Sequence, residues 1–90
     1  MTFEPSQCDA FLEIFEKYHD RIRAAEGCRG LKLLRQQPQG AVFFTYSLWD
    51  DASFLDIYRN SATFGEVWPL TKALFAAPAE AWTCSEEYNL

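Results

Sequence analysis

Histidine is almost missing from this chain. Among 90 residues only His19 carries an imidazole. Zinc sites and imidazole-based acid–base pairs lean on that side chain more than on any other, so both lose their commonest ingredient and no metal site is expected. Cysteine is sparse as well. Cys8, Cys28 and Cys84 are odd in number and form no C-x-x-C pair, which argues against a disulfide framework and for a reducing compartment, the cytoplasm by default. No apolar run approaches the roughly 20 residues of a membrane helix. The opening M-T-F-E-P-S has neither the basic nor the apolar region of a signal peptide. Basic charge is also short. Eight Lys and Arg face thirteen Asp and Glu, the net charge is −5, and no basic stripe runs along the chain, so nucleic acid is not an expected partner. No P-loop, GxGxxG or Ser/His/Asp constellation is present, and no cofactor is called for.

What the chain does have is apolar and aromatic mass. Hydrophobic residues make up 49% and aromatics 17%, ample for folding. The length bounds the reading to one domain, residues 1–90, with a modest core.

The chain divides readily into elements. Thr2-Phe3-Glu4 reads as a strand stopped by Pro5. Ser6, with Asp9 three residues on, reads as a capping-box-like start to a helix over about 7–26. Within it Cys8, Phe11, Leu12, Phe15, Tyr18, Ile22 and Ala25 recur mostly at steps of three and four, with charged residues opposite. Gly27 suits the left-handed position after such a helix. A strand over Leu31–Gln36, a turn at Gln37-Pro38-Gln39-Gly40 and an antiparallel strand over Ala41–Trp49 follow. Asp50 or Asp51 caps the next helix, which breaks at Asn60-Ser61. Phe64, Val67, Trp68, Thr71, Leu74 and Phe75 make a further helical stripe. Pro69 inside it predicts a kink or a fresh start after Trp68, and Ala76-Ala77-Pro78 its end. Ala79–Tyr88 reads as a last strand, with Trp82 and Cys84 on one face.

The order β-α-β-β-α-β is the α+β, ferredoxin-like split β-α-β arrangement with an antiparallel sheet. Phe43 and Phe44 must point to opposite faces of their strand, so both sheet faces are apolar there. The chain's own helices cover one face. The other needs a second cover, and a homodimer supplies it.

The motifs E-G-C-x-G (Glu26–Gly30), an aromatic strand ending in Trp49-Asp50, and Y-R-N-S-x-x-F-x-x-x-W (Tyr58–Trp68) resemble the antibiotic biosynthesis monooxygenase family across nearly the whole chain. That resemblance implies the dimeric α/β-barrel fold, in which the sheets of two copies pack face to face. Members of known activity include cofactor-independent oxygenases acting on quinols or aromatic polyketides, and haem-degrading enzymes. In the haem-degrading relatives a histidine on the second helical segment ligates iron. The spacing puts Trp68 at that place here, so haem degradation is not expected. The family's first strand is usually long and central. Only Met1–Glu4 precede Pro5 here, and the expectation is that the natural reading frame begins several residues upstream.

Oxygenation without a cofactor needs an electron-rich substrate whose anion passes an electron to O₂. The protein then supplies an apolar pocket and a few hydrogen bonds. Tyr46, Trp49, Tyr58, Asn60, Trp68 and Trp82 are the residue types such a pocket uses, and Trp68 and Tyr58, flanking the helix break, are the sharpest candidates. Each has a plainer explanation as core packing, and Asn60 as a helix end. His19 reads as a surface residue. Arg35 and Arg59 could hold an anionic ligand, although solvation or pairing with an acid is the commoner fate of an arginine. No residue declares itself as the catalytic acid or base. Three functions therefore remain open: a monooxygenase acting on a small aromatic or quinol-like molecule without metal or flavin, a non-catalytic dimeric domain that binds a small apolar molecule, and a barrel filled by its own aromatics.

Overall fold

The computed structural model describes all 90 residues. The elements in chain order are β1 (Thr2–Phe3), α1 (Cys8–Arg23), β2 (Cys28–Arg35), β3 (Phe43–Trp49), α2 (Ala52–Arg59), α3 (Ala62–Lys72) and β4 (Phe75–Ala77). Two antiparallel ladders, β1–β4 and β2–β3, are joined at the Thr2↔Val42 bridge. Phe3 N–H donates to the Ala41 carbonyl at 2.9 Å and Phe43 N–H to the Met1 carbonyl at 2.8 Å. The spatial order is therefore β4-β1-β3-β2, the antiparallel ferredoxin-like sheet, with the helices on one face. Short as it is, β1 is bonded on both sides.

Register assigns the faces. Leu31, Leu33 and Arg35 lie opposite Ser47, Thr45 and Phe43, while Lys32 and Leu34 lie opposite Tyr46 and Phe44. Residues two apart share a face. The first set looks toward the helices, where Phe3, Cys8, Phe11 and Phe43 form the closed core and Leu33, Leu12, Phe15 and Phe75 pack around it. Phe3 stacks on Phe11 at 4.3 Å, and Phe43 meets Phe11 edge-on at 5.2 Å. The second set looks away. Leu34, Phe44, Tyr46 and Leu48 are each about half exposed there (46–52%).

Local chemistry sets the helix boundaries. α1 is shorter than its apolar stripe predicts, and the Ser6 cap does not form. Pro5–Gln7 instead wind into a 3₁₀ turn, closed by Gln7 N–H on the Glu4 carbonyl, and Gln7 stands at the N-cap with no side-chain bond. Gly27 adopts φ +80° after the helix. A Cβ there would also overlap the Phe54 ring, so the position requires glycine on both counts. Asp51 caps α2, accepting from the Ser53 hydroxyl and backbone N–H at 2.6 and 3.0 Å; these bonds hold its carboxyl below the ordinary range. Ser61 caps α3 by accepting from Phe64 N–H at 3.3 Å.

Two expectations for the C-terminal third fail. The first is the fresh start after Trp68, one of the two outcomes expected of Pro69: α3 runs as a single helix with Pro69 inside it. The proline removes only its own donor, and the carbonyl it would clash with belongs to Gly65, which lies on an open face. The second is the last strand. Phe75–Ala77, expected as the end of a helix, form β4, while residues 78–90, including the expected strand Ala79–Tyr88, are in neither helix nor strand. Pro78 has no N–H with which to extend the ladder. The β1–β4 register ends at the Thr2↔Ala77 pair, and residues after Ala77 take no part in it. Trp82 and Cys84 are consequently exposed, Trp82 at 71%.

Candidate functional site

A cavity of about 560 Å³ lies between the helices and the sheet, beside the closed core. Its volume falls within the ~300–1,000 Å³ typical of small-molecule sites. The sheet contributes Leu31, Thr45, Ser47 and Trp49. Helix α1 adds Ile14, Phe15 and Ile22, α2 adds Leu55, Tyr58 and Arg59, and α3 adds Phe64, Val67, Trp68 and Thr71. Ala79–Trp82, mostly exposed, line its rim.

The helix break builds the aromatic wall. Because α2 ends at Arg59 and α3 restarts after the Ser61 cap, Tyr58 and Phe64 meet edge-on at 5.5 Å. Phe64 in turn stacks on Trp68 at 5.5 Å with the planes 12° apart, and Trp49 comes across from β3 to meet Tyr58 at 5.6 Å. Trp68 then meets Phe75 edge-on at 5.6 Å, which ties the wall to the closed core.

The polar groups of the cavity divide by whether the protein already uses them. The Trp49 indole N–H donates to Ser47 Oγ at 2.9 Å, and the Thr71 hydroxyl to the Val67 carbonyl at 2.9 Å. The Tyr58 hydroxyl, the Trp68 indole N–H and the Arg59 guanidinium have no side-chain hydrogen bond within the protein. Burial raises the pKa of Tyr58, and the neighbouring Cys28 raises it further. At neutral pH Tyr58 is therefore a phenol that donates. Glu80 lies on the Met1 side, where it partly offsets the lowering of the terminal ammonium's pKa by burial. Together these groups can receive an apolar ring and donate to an oxygen that carries negative charge. No group of three or more His, Cys, Asp or Glu side chains is arranged so that it could hold a metal ion.

Of the six pocket residues expected from sequence, Trp49, Tyr58, Trp68 and Trp82 line this cavity. Tyr46 and Asn60 do not. Tyr46 stands on the opposite sheet face, with the Lys32 ammonium 5.9 Å from its ring. Asn60 ends α2, its Nδ2 donating to the Asp56 carbonyl at 2.8 Å. Strand alternation carries the signal for Tyr46, since it is out of phase with Phe43 and Trp49. The same alternation selects Ser47, which was not singled out. Ile14 and Thr71 were also missed, although both fall on helical stripes that meet the sheet.

Comparison with known proteins agrees with this architecture. The sequence profile of the antibiotic biosynthesis monooxygenase family matches residues 1–68, and the chain belongs to that family. The matched span takes in β1 through Trp68, whereas β4 and the rim residues Ala79–Trp82 lie beyond it. Among solved structures, a conserved protein from Methanosarcina mazei Go1 superposes with a TM-score of 0.82 at 19% identity, over 88% of this chain and 78% of that one. An antibiotic biosynthesis monooxygenase superposes at 0.78 with 21% identity, over 91% and 92%. A candidate antibiotic biosynthesis monooxygenase from Caulobacter crescentus CB15 gives 0.79 at 15%, over 87% and 74%. At these identities the likeness is one of fold. No curated protein matches the chain. No helix is long and apolar enough to cross a membrane.

Proposed function

We propose that this chain is a cytoplasmic, cofactor-independent monooxygenase that holds a small aromatic or quinol-like substrate in the cavity beside Tyr58 and Trp68. The observation that carries the reading is the cavity itself: an apolar space walled by aromatics, among them Tyr58 and Trp68, whose polar tips make no hydrogen bond within the protein. An acidic CH₂ or hydroxyl of the substrate gives up a proton to water. The resulting anion passes one electron to O₂, and the two radicals combine to a peroxide. Loss of water leaves a carbonyl, so that for a CH₂ substrate one oxygen atom enters the product and the other leaves with both hydrogens. The chain's part is to orient the ring, exclude water and stabilise the anion by hydrogen bonding.

The same proposal includes a homodimer. Leu34, Phe44, Tyr46 and Leu48 make a continuous half-exposed face on the side of the sheet away from the helices. A second copy packed there would bury roughly 2,000 Å² in total, the scale of an obligate interface. A sedimenting monomer at micromolar concentration would refute it.

A second reading is a non-catalytic dimeric domain that holds a small apolar molecule. It is favoured by the absence of histidine from the cavity wall and of any carboxylate beside Tyr58 or Trp68. Oxygen uptake with a panel of quinols and anthrones, with and without added flavin or iron, separates the two. Stoichiometric uptake without additives that is lost in Trp68→Ala supports the oxygenase. Tight binding of the panel without uptake supports the binding domain.

A further inference from the structure

The chain has five arginines, and four are spent on the protein itself. Arg21 pairs with Glu66 at 2.9 Å and donates to Thr63 Oγ1. Arg23 clamps the carbonyls of Cys28 and Arg29 at 2.8 and 3.0 Å. Arg29 pairs with Asp50, and Arg35 donates to the Gly40 carbonyl at 2.8 Å while lying over the Phe43 ring. Arg59 alone has neither an ion pair nor a hydrogen bond, and Arg59 alone lines the large cavity.

Arg23 and Arg35 also lack a carboxylate, but both are held by backbone carbonyls; Arg59 is the one guanidinium with no partner of any kind, and the cavity it lines says what it can face. It stands at the end of α2, one residue from Tyr58, whose raised pKa keeps it a donor. The cavity's one carboxylate, Glu80, lies toward the Met1 ammonium and forms no ion pair with Arg59. The geometry points to Arg59 as an anion-recognising residue that selects aromatic ligands carrying a carboxylate or an ionised hydroxyl at one end. This rests on the cavity being the binding site, as proposed above. The ring lies among Phe64, Trp68 and Trp49, and the acidic group reaches the fork of Arg59 at the helix end. A guanidinium suits this role because its paired N–H groups match two carboxylate oxygens, which a lysine does less well.

The test compares 2-naphthoate with its neutral near-isostere 2-naphthamide by titration calorimetry. The wild-type chain should bind the acid roughly tenfold tighter, the ratio expected of one charge-assisted hydrogen-bonded pair at a solvent-facing site. Arg59→Met should abolish that ratio while leaving amide binding unchanged, and Arg59→Lys should retain part of it. Lys17→Met, which removes the same charge from the outer side of α1, should leave the ratio as it was. Raised salt should weaken the acid and not the amide. Equal affinity of acid and amide for the wild type, or a ratio unchanged in Arg59→Met, overturns the role of Arg59 and leaves the cavity reading standing. Failure of both probes to bind overturns the two together.

Discussion

At one end of the space between helices and sheet, Phe3, Phe11 and Phe43 fill everything available. At the other, Trp49, Tyr58, Phe64 and Trp68 ring a space and leave it open. Both ends are aromatic, and the Trp68–Phe75–Phe3 contacts make them continuous. The difference lies in the chemistry of the rings. The closed end uses phenylalanine, which has no polar atom to satisfy and can be sealed at no cost. Three of the four rings at the open end are Trp or Tyr, whose N–H or O–H needs a partner. A cluster sealed with unpaired tips would lose the desolvation free energy of each one. Between these two ends, Phe fills the closed one and polar-tipped aromatics predominate at the open one; Tyr18, buried at 2% exposure, shows that the division does not hold for the whole chain.

The contrast can be broken most sharply at the closed end. Phe43 is 1% exposed and touches both Phe3 and Phe11. Phe43→Ala should cost about 3–5 kcal/mol through lost burial and an unfilled hole. That is a large share of the ~5–15 kcal/mol available to a small domain. A urea melt reads it directly, and a loss below about 1 kcal/mol would mean that the end described as closed is not close-packed.

The next largest effect belongs to the uncovered sheet face. Leu48 lies on the same strand as Phe43 but half exposed and on the other side. Leu48→Glu should leave the fold of a single copy intact and convert the proposed dimer to monomer in sedimentation equilibrium, because a charge would be buried unpaired at the interface. A dimer of unchanged affinity would show that this face is not the contact.

Much of the frame was legible because it depends on local pattern. The α1 stripe, the Gly27 turn, the aspartate cap of α2 and the Ser61 restart are short-range signals, and each fixes one element. The C-terminal third was not, because its fate is decided across the sheet. Ala79–Tyr88 has strand-like residues, yet a strand needs a backbone partner, and the β1–β4 register ends at Ala77, just before Pro78. Pro69 predicts a kink or a fresh start, yet a proline removes only one donor, and the flanking turns carry α3 through it as one helix. At the site, helix spacing placed Tyr58 and Trp68 together. Asn60 reached the candidate set by adjacency alone, and its side chain turns back to finish α2. Arg59 was noted only as a generic anion holder. Its significance comes from comparing the partners of five arginines, which no linear pattern contains.

At the open end, Trp68 should separate stability from binding. Trp68→Phe keeps an aromatic ring against Phe64 and removes the indole N–H. It should cost under about 1 kcal/mol, since most of the apolar contact survives, while aromatic-ligand affinity falls several-fold. Trp68→Ala should cost less than Phe43→Ala, because one side of the indole already faces the cavity. If Trp68→Phe destabilises the chain by more than ~2 kcal/mol and leaves ligand affinity unchanged, Trp68 belongs to the closed end.

The smallest expected effect is spectroscopic and concerns Tyr58. Burial, reinforced by Cys28, raises its pKa above the ordinary phenol value of about 10. The folded state therefore favours the neutral phenol. The sign follows: whatever stability this group lends is complete below the unfolded value and is lost as pH rises through the higher folded one. An ultraviolet titration of the wild type minus that of Tyr58→Phe should isolate a component that ionises above the ordinary phenol range. A ligand seated in the cavity should delay it further if its ring excludes water from the phenol. If the ligand instead presents an acidic group to Arg59, the added negative charge nearby acts in the same direction, and the delay should then be larger for 2-naphthoate than for 2-naphthamide. A difference component at the ordinary phenol value, or one that does not move with either ligand, would show that this hydroxyl does not face the cavity and would remove Tyr58 from the open end.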